Sequence, residues 1–187
     1  MPFKPKKKPE PLEEAALFDY AVKALGRRMR TEAELRRLMR TRVEPEAAGD
    51  AKVVAVLARL KEYGYLDDAS YAETYTRLRH ENEKFGERRV KQDLKQKGVH
   101  DTLIAEAVEA RYGQTDETEL ARQFIEKKRL RPPENDKETA RILRRLVMAG
   151  FATGTIRKVL AQWNVDDGAL QALDSIQDSL DEEMPEE

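Results

Sequence analysis

Leu94-Lys95-Gln96-Lys97-Gly98-Val99 has two echoes in the chain, Leu38-Met39-Arg40-Thr41-Arg42-Val43 before it and Leu146-Val147-Met148-Ala149-Gly150-Phe151 after it. Each stretch starts on an apolar residue and returns to one five positions later. In the second and third, glycine stands just before the returning apolar residue, where helices commonly end in left-handed backbone. The first has Arg42 there. Ile104 and Ile156 follow Val99 and Phe151 at a shared five-residue offset. The copies lie 56 and 52 residues apart. Tetratricopeptide units repeat at about 34 residues and HEAT or armadillo units at about 40–47, so a period near 52 leaves room for three helices. Units this short cannot each bury a full core and must stack on their neighbours. The expected fold is all-α: tandem three-helix repeats stacked into an elongated, curved array.

The sequence around the echoes supplies the helices. In the first round Leu17, Phe18, Ala21 and Leu25 share a helical face. Thr31 and Glu34 have capping-box spacing, and Leu35, Leu38 and Met39 form the stripe that follows. Pro45 interrupts, then Asp50 is placed to cap a third helix carrying Val53, Val54, Leu57 and Leu60, closed by Gly64. In the second round Asp67 or Asp68 precedes Tyr71, Tyr75 and Leu78. Phe85 and Val90 have hydrophobic-staple spacing, Val90 and Leu94 line the next helix, and Asp101 precedes Leu103, Ile104, Ala107 and Val108. In the third, Asp116 and Glu119 precede Leu120, Phe124 and Ile125, and Pro132-Pro133 breaks the chain. Asp136 then opens a helix with Ile142, Leu143 and Leu146, and Thr153 or Thr155 opens the last, with Ile156, Val159, Leu160 and Trp163. No segment sustains the alternation of a strand. The predicted organisation is a disordered basic arm over 1–11, repeats over 12–66, 67–114 and 115–164, and an acidic tail with some helical pattern over 165–187.

Composition restricts the function classes. The 187 residues are 38% charged, 40% hydrophobic and 6% aromatic, with a mean hydropathy of −0.78. There is no cysteine, which excludes disulfides and thiolate metal sites and points to a reducing, cytoplasmic setting. The N-terminus, Met1-Pro2-Phe3-Lys4-Pro5, has no apolar stretch behind its charges and does not read as a secretory signal. The longest apolar run, Val53 to Ala58, is far short of the roughly 20 residues of a membrane span. The net charge of −1 hides an uneven distribution. Residues 164–187 hold nine acidic side chains and no Lys or Arg, while residues 1–163 hold all 35 basic and 27 of the 36 acidic ones, a balance of +8. A basic body attracts polyanions such as nucleic acid.

Catalytic signatures are missing. No HExxH, CxxC, GxSxG or GxxxxGK[ST] occurs. His80 and His100 lie 20 positions apart and read as surface histidines; Asp67-Asp68 reads as a helix cap better than as a metal site. Neither a cofactor nor a metal is expected, and the chain reads as a binding protein, not an enzyme.

Basic residues gather on the middle helix of each round: Arg36, Arg37 and Arg40 in the first; Arg88, Arg89, Lys91, Lys95 and Lys97 in the second; Arg141, Arg144 and Arg145 in the third. Arg88, Lys91 and Lys95, at i, i+3 and i+7, form one stripe away from Val90 and Leu94. Repeated through stacked units, such stripes would make a track able to follow a phosphate backbone. The plainer reading is a solvated helix face, since Arg and Lys are good helix formers, but recurrence in three units favours the track. Tyr71, Tyr75 and Phe85 read as core and not as a base-stacking platform.

The stretch Gly64-Tyr65-Leu66-Asp67-Asp68-Ala69-Ser70-Tyr71-Ala72, with Gly86 to Arg89, Val90, Leu94 and Lys97-Gly98-Val99, resembles the RecX family of bacterial recombination regulators. The likeness covers roughly residues 14–163 and is most specific in the middle unit. It implies tandem three-helix units. It also implies binding to the RecA recombinase along its nucleoprotein filament on single-stranded DNA, with modulation of strand exchange and of RecA's ATP hydrolysis, in DNA repair, recombination and the SOS response. The family has no catalytic residues to carry over. A monomer is expected. Two other readings fit the residues alone: a general DNA-binding protein, or a helical scaffold for a protein partner. For the scaffold, Leu173, Ile176 and Leu180 make an amphipathic stripe, whose plainer fate is docking on the chain's own last unit.

Overall fold

The computed structural model describes residues 10–163 and 165. Among them are nine α-helices: α1 (Glu14–Leu25), α2 (Glu32–Arg40), α3 (Ala47–Glu62), α4 (Asp68–Leu78), α5 (Glu87–Gln96), α6 (Asp101–Tyr112), α7 (Glu117–Lys127), α8 (Asp136–Met148) and α9 (Thr153–Leu160). A π-helical turn, Arg79–Glu83, extends α4, and a 3-10 turn, Ala161–Trp163, follows α9. There is no strand among the described residues. The chain is therefore all-α, in three rounds of three helices. Most of the predicted arm (residues 1–9) and of the acidic tail (166–187), including Leu173, Ile176 and Leu180, lies outside the described residues.

Helix starts follow the capping chemistry with local corrections. Thr31 Oγ1 accepts the Glu34 N–H at 3.1 Å, but the Glu34 carboxylate turns to Lys97 instead of closing the box. Asp116 accepts from Thr118 and Glu119. Helix α8 opens at Asp136 as expected, capped by Asn135 through the Glu138 N–H at 3.0 Å. The third helix starts at Ala47 and not at Asp50: residues 47–49 add a turn, and Asp50 pairs with Arg40. Its apolar face is Val53, Val56, Leu57 and Leu60; the expected Val54 is more than half exposed. The acidic doublet divides its work. Asp67 Oδ1 caps its own helix through the N–H groups of Ala69 and Ser70, while Asp68 Oδ1 takes the Glu32 N–H of α2 at 2.9 Å.

Burial gives the repeat its register. Val53/Val56/Leu57, Ile104/Ala107/Val108 and Ile156/Val159/Leu160 are buried at identical spacing. On the middle helices the buried pairs are Leu35/Met39, Val90/Leu94 and Ile142/Leu146, all i, i+4. Met39, not Leu38, is thus the counterpart of Leu94, and Leu38 is only partly buried. The first copy reaches Val43 in four residues, not five. Its turn passes through Thr41 in right-handed backbone, with no positive-φ residue. A turn without left-handed backbone needs no glycine, which accounts for Arg42.

The described residues form two compact units. One contains those through Ala72, with Lys95–Leu103; the other contains Glu73–Leu94 and those from Ile104 on. In the first, Leu17, Ala21, Leu35, Met39, Val53, Val56, Leu57 and Leu60 make the core, and Val43 and Leu66 close it from the turns. The Leu12 N–H donates to the Arg42 carbonyl at 2.7 Å, tying the chain before α1 to the turn after α2. In the second unit α9 packs on α7 and α8, and Phe124 meets the Phe151 ring edge-on at 5.5 Å. Gly86 donates its N–H to the Ala149 carbonyl at 2.8 Å, so the start of α5 meets the end of α8 backbone to backbone.

Candidate basic interface

The eleven cations singled out from sequence differ in what they face. On α2, Arg36 pairs with Glu32 at 2.5 Å and Arg40 with Asp50 at 2.6 Å. Arg37 meets no carboxylate among the described residues; its Nε donates to the Ala33 carbonyl at 3.3 Å. On α5, Arg89 pairs with Asp93 at 3.0 Å and Lys91 with Glu87. Lys97, just beyond α5, is held by Glu34 at 3.1 Å and lies over the Tyr71 ring. Arg88 and Lys95 are exposed and form no ion pair among the described residues. Exposed pairs of this kind add little stability, but each cancels its own field and so reduces the pull on a distant polyanion.

Helix α8 is the exception. Thr139, Ile142, Leu143 and Leu146 bury one face. The other carries Arg141, Arg144 and Arg145, all exposed, with no ion pair among the described residues; Arg144 Nε only reaches the Ala140 carbonyl, at 3.4 Å. Lys137, which the sequence reading passed over, completes the face at i, i+4, i+7 and i+8 and is also exposed and unpaired among the described residues. Its helical spacing to Arg141 was the available signal. Glu138, the acid nearest this face, turns back to accept the Glu134 N–H. Met148, 59% exposed, stands at the far end. Four exposed cations on 13 residues of helix suit consecutive phosphates, which charged side chains bind without reading sequence.

His80 is not the surface histidine its sequence context suggests. It is half-buried in the π-helical turn, against the edge of Tyr112 at 5.1 Å, and its Nδ1 accepts from Arg111 Nε at 3.2 Å. Arg111 also pairs with Glu81 at 2.7 Å, Lys128 with Glu83 at 3.0 Å, and Lys127 donates to the Asn82 carbonyl. Burial, aided by the charges of Arg111 and Lys84, holds His80 below the usual histidine range. The unfolded chain then takes up a proton that the fold resists. Stability should fall as pH drops below about 6.5, the unperturbed value, and continue down through the folded pKa. His80→Gln, which keeps an acceptor for Arg111, should flatten that loss. Thermal unfolding at pH 7.5 and 5.5 checks it, and equal drops in both proteins would rule it out.

Beside α2, a cleft of about 490 Å³ is lined by both signs of charge, Arg36 and Lys95 against Glu32, Asp68 and Asp101. Burial raises the Asp68 carboxyl above its ordinary range, partly offset by the Glu32 N–H it accepts. Among the described residues no group of three or more His, Asp or Glu could hold a metal ion, and no helix is long and apolar enough to cross a membrane.

Comparison with known proteins places this arrangement. The family model for "RecX, second three-helix domain" matches residues 67–108. The regulatory protein RecX of Leptothrix cholodnii is 34% identical over 140 residues, covering 75% of this chain and 84% of that protein. The chain belongs to the RecX family. The regulatory protein RecX of Deinococcus radiodurans is 41% identical over 111 residues, or 59% of this chain and 49% of that longer protein. RecX from Lactobacillus salivarius shares the fold, with a TM-score of 0.62 at 19% identity over 81% of this chain and 96% of that one. The RecX model falls on the middle round, from the Asp67 cap to Val108 of α6. The α8 face lies outside it.

Proposed function

We propose that this RecX-family chain is a regulator that binds the RecA recombinase filament on single-stranded DNA and modulates its strand exchange and ATP hydrolysis. The α8 face meets the phosphate backbone. The observation that carries the contact is the set of four exposed cations on one helix face, with no ion pair among the described residues; family membership supports the partner. The chain acts by binding, as a monomer in the cytoplasm, in recombination, DNA repair and the SOS response. Preference for one state of the filament shifts its assembly, and no reaction of the regulator's own is needed.

The test is a titration of the chain into RecA, single-stranded DNA and ATP. A change in ATPase rate and in strand exchange, saturating near one chain per few RecA subunits, is the expected result. No change at stoichiometric amounts overturns the reading. If the chain instead binds single-stranded DNA equally with and without RecA, and the ATPase is untouched, it is a general DNA-binding protein.

A further inference from the structure

The acidic segment that follows the last round is opposite to the α8 face in sign and equal to it in spacing. On α8 the cations Lys137, Arg141, Arg144 and Arg145, without an ion pair among the described residues, sit at offsets 0, 4, 7 and 8. In the sequence Asp174, Asp178, Asp181 and Glu182 repeat those offsets with opposite charge. Leu173, Ile176 and Leu180 run among these acids, and Met148 is an exposed apolar side chain at the end of the α8 face. The segment 164–187 has no Lys or Arg, so its carboxylates can find cationic side chains only elsewhere. Helix α9, which leads into it, packs on α8. The 22 residues after Val165 can extend up to about 75 Å, against about 10 Å between packed helix axes.

We propose that residues 166–187 dock on the α8 face of the same chain and occupy it until a polyanion displaces them. Each pair at a solvent-exposed face is weak and screened by salt. Tethering makes the weak contacts sufficient, because a short linker holds the segment at an effective concentration on the order of millimolar. The tail then acts as an internal competitor. Nucleic acid must displace it, so weak and isolated polyanions are rejected while a long, multiply charged strand is accepted. Docking itself rests only on α8 and the segment; its effect on nucleic acid rests on the function proposed above.

Carbodiimide coupling of the full-length chain separates the two. It joins a lysine amine to a carboxylate in contact, and Lys137 is the only lysine on the face. An amide from Lys137 to an acid within 174–187 is expected, with a yield unchanged by tenfold dilution and reduced in 0.5 M salt. Links from the segment only to other lysines overturn the proposal. So does a Lys137 link that fades on dilution, which would mean a second copy. The second arm replaces Asp174, Asp178 and Asp181 with Asn and Glu182 with Gln in the full chain and measures binding of a fluorescent oligothymidylate. Affinity should rise about tenfold. Unchanged affinity overturns the competition, even where the Lys137 link forms. Absence of any oligothymidylate binding by either protein counts against the proposed function, and the coupling result still decides docking.

Discussion

Gly150→Ala is expected to destabilise the protein by about 3 kcal/mol or more, because two independent costs coincide at one methyl group. Gly150 has φ +89°, which an L-residue adopts only at a cost of about 1 kcal/mol. A Cβ there would lie 2.3 Å from the Arg89 nitrogen and 2.6 Å from the Arg89 Cβ. Those atoms belong to the helix itself and cannot rotate away. To make room, the turn after α8 must move off the start of α5, stretching the 2.8 Å hydrogen bond from the Gly86 N–H to the Ala149 carbonyl; leaving such groups unpaired costs about 1–3 kcal/mol. Gly64→Ala is the control. Its backbone is also left-handed, at φ +70°, but nothing lies within 4 Å of the added methyl, so it should lose only about 1 kcal/mol. Urea unfolding of the three proteins checks the order. If the two compact units melt separately, the Gly150→Ala loss should fall on the transition of the second. A loss under 1 kcal/mol at Gly150 would mean that the close approach does not constrain the fold.

The helices were legible because burial recurs with the helical period, and the triplet at Val53, Ile104 and Ile156 is a direct print of it. What could not be read was anything set by a turn or by a partner distant in sequence. The apolar spacing of the first copy points to Leu38, whereas Met39 is buried, because its turn to Val43 is one residue shorter. Periodicity does not record turn length. The pairs Arg36–Glu32, Arg89–Asp93 and Lys91–Glu87 stand at i, i+4 and were open to sequence reading. Arg40–Asp50 joins α2 to α3, and Lys97–Glu34 joins the turn after α5 to α2, and these were not. Counting cations therefore put the middle round ahead, with five against three each in the first and third, and only the carboxylates opposite them reverse that order. His80 was misread for the same reason: Tyr112, which buries it, is 32 residues away.

That difference in weight makes the α8 face the most sensitive place to disturb binding. Replacing Arg141, Arg144 and Arg145 together by glutamine, in the chain whose Asp174, Asp178, Asp181 and Glu182 are already replaced by Asn and Gln, should weaken binding to single-stranded DNA about a hundredfold at 0.1 M salt. Each phosphate contact on a single strand releases about 0.7 counterion, so three lost contacts lower the slope of log affinity against log salt by about 2. At 0.1 M that is two powers of ten. Glutamine keeps helix propensity close to that of arginine, and all three side chains are exposed, so helicity and unfolding temperature should hold. The contrast is Glu87→Gln with Lys91→Gln, which removes one of the paired cations of α5 with its partner and leaves the net charge unaltered. It should change affinity less than twofold, because a cation already neutralised releases little from the strand. Fluorescence anisotropy at several salt concentrations reads both quantities. A triple variant that retains its affinity within threefold, with an unchanged salt slope, would remove α8 from the interface and return Arg88 and Lys95 of α5, exposed and without an ion pair among the described residues, as the leading candidates.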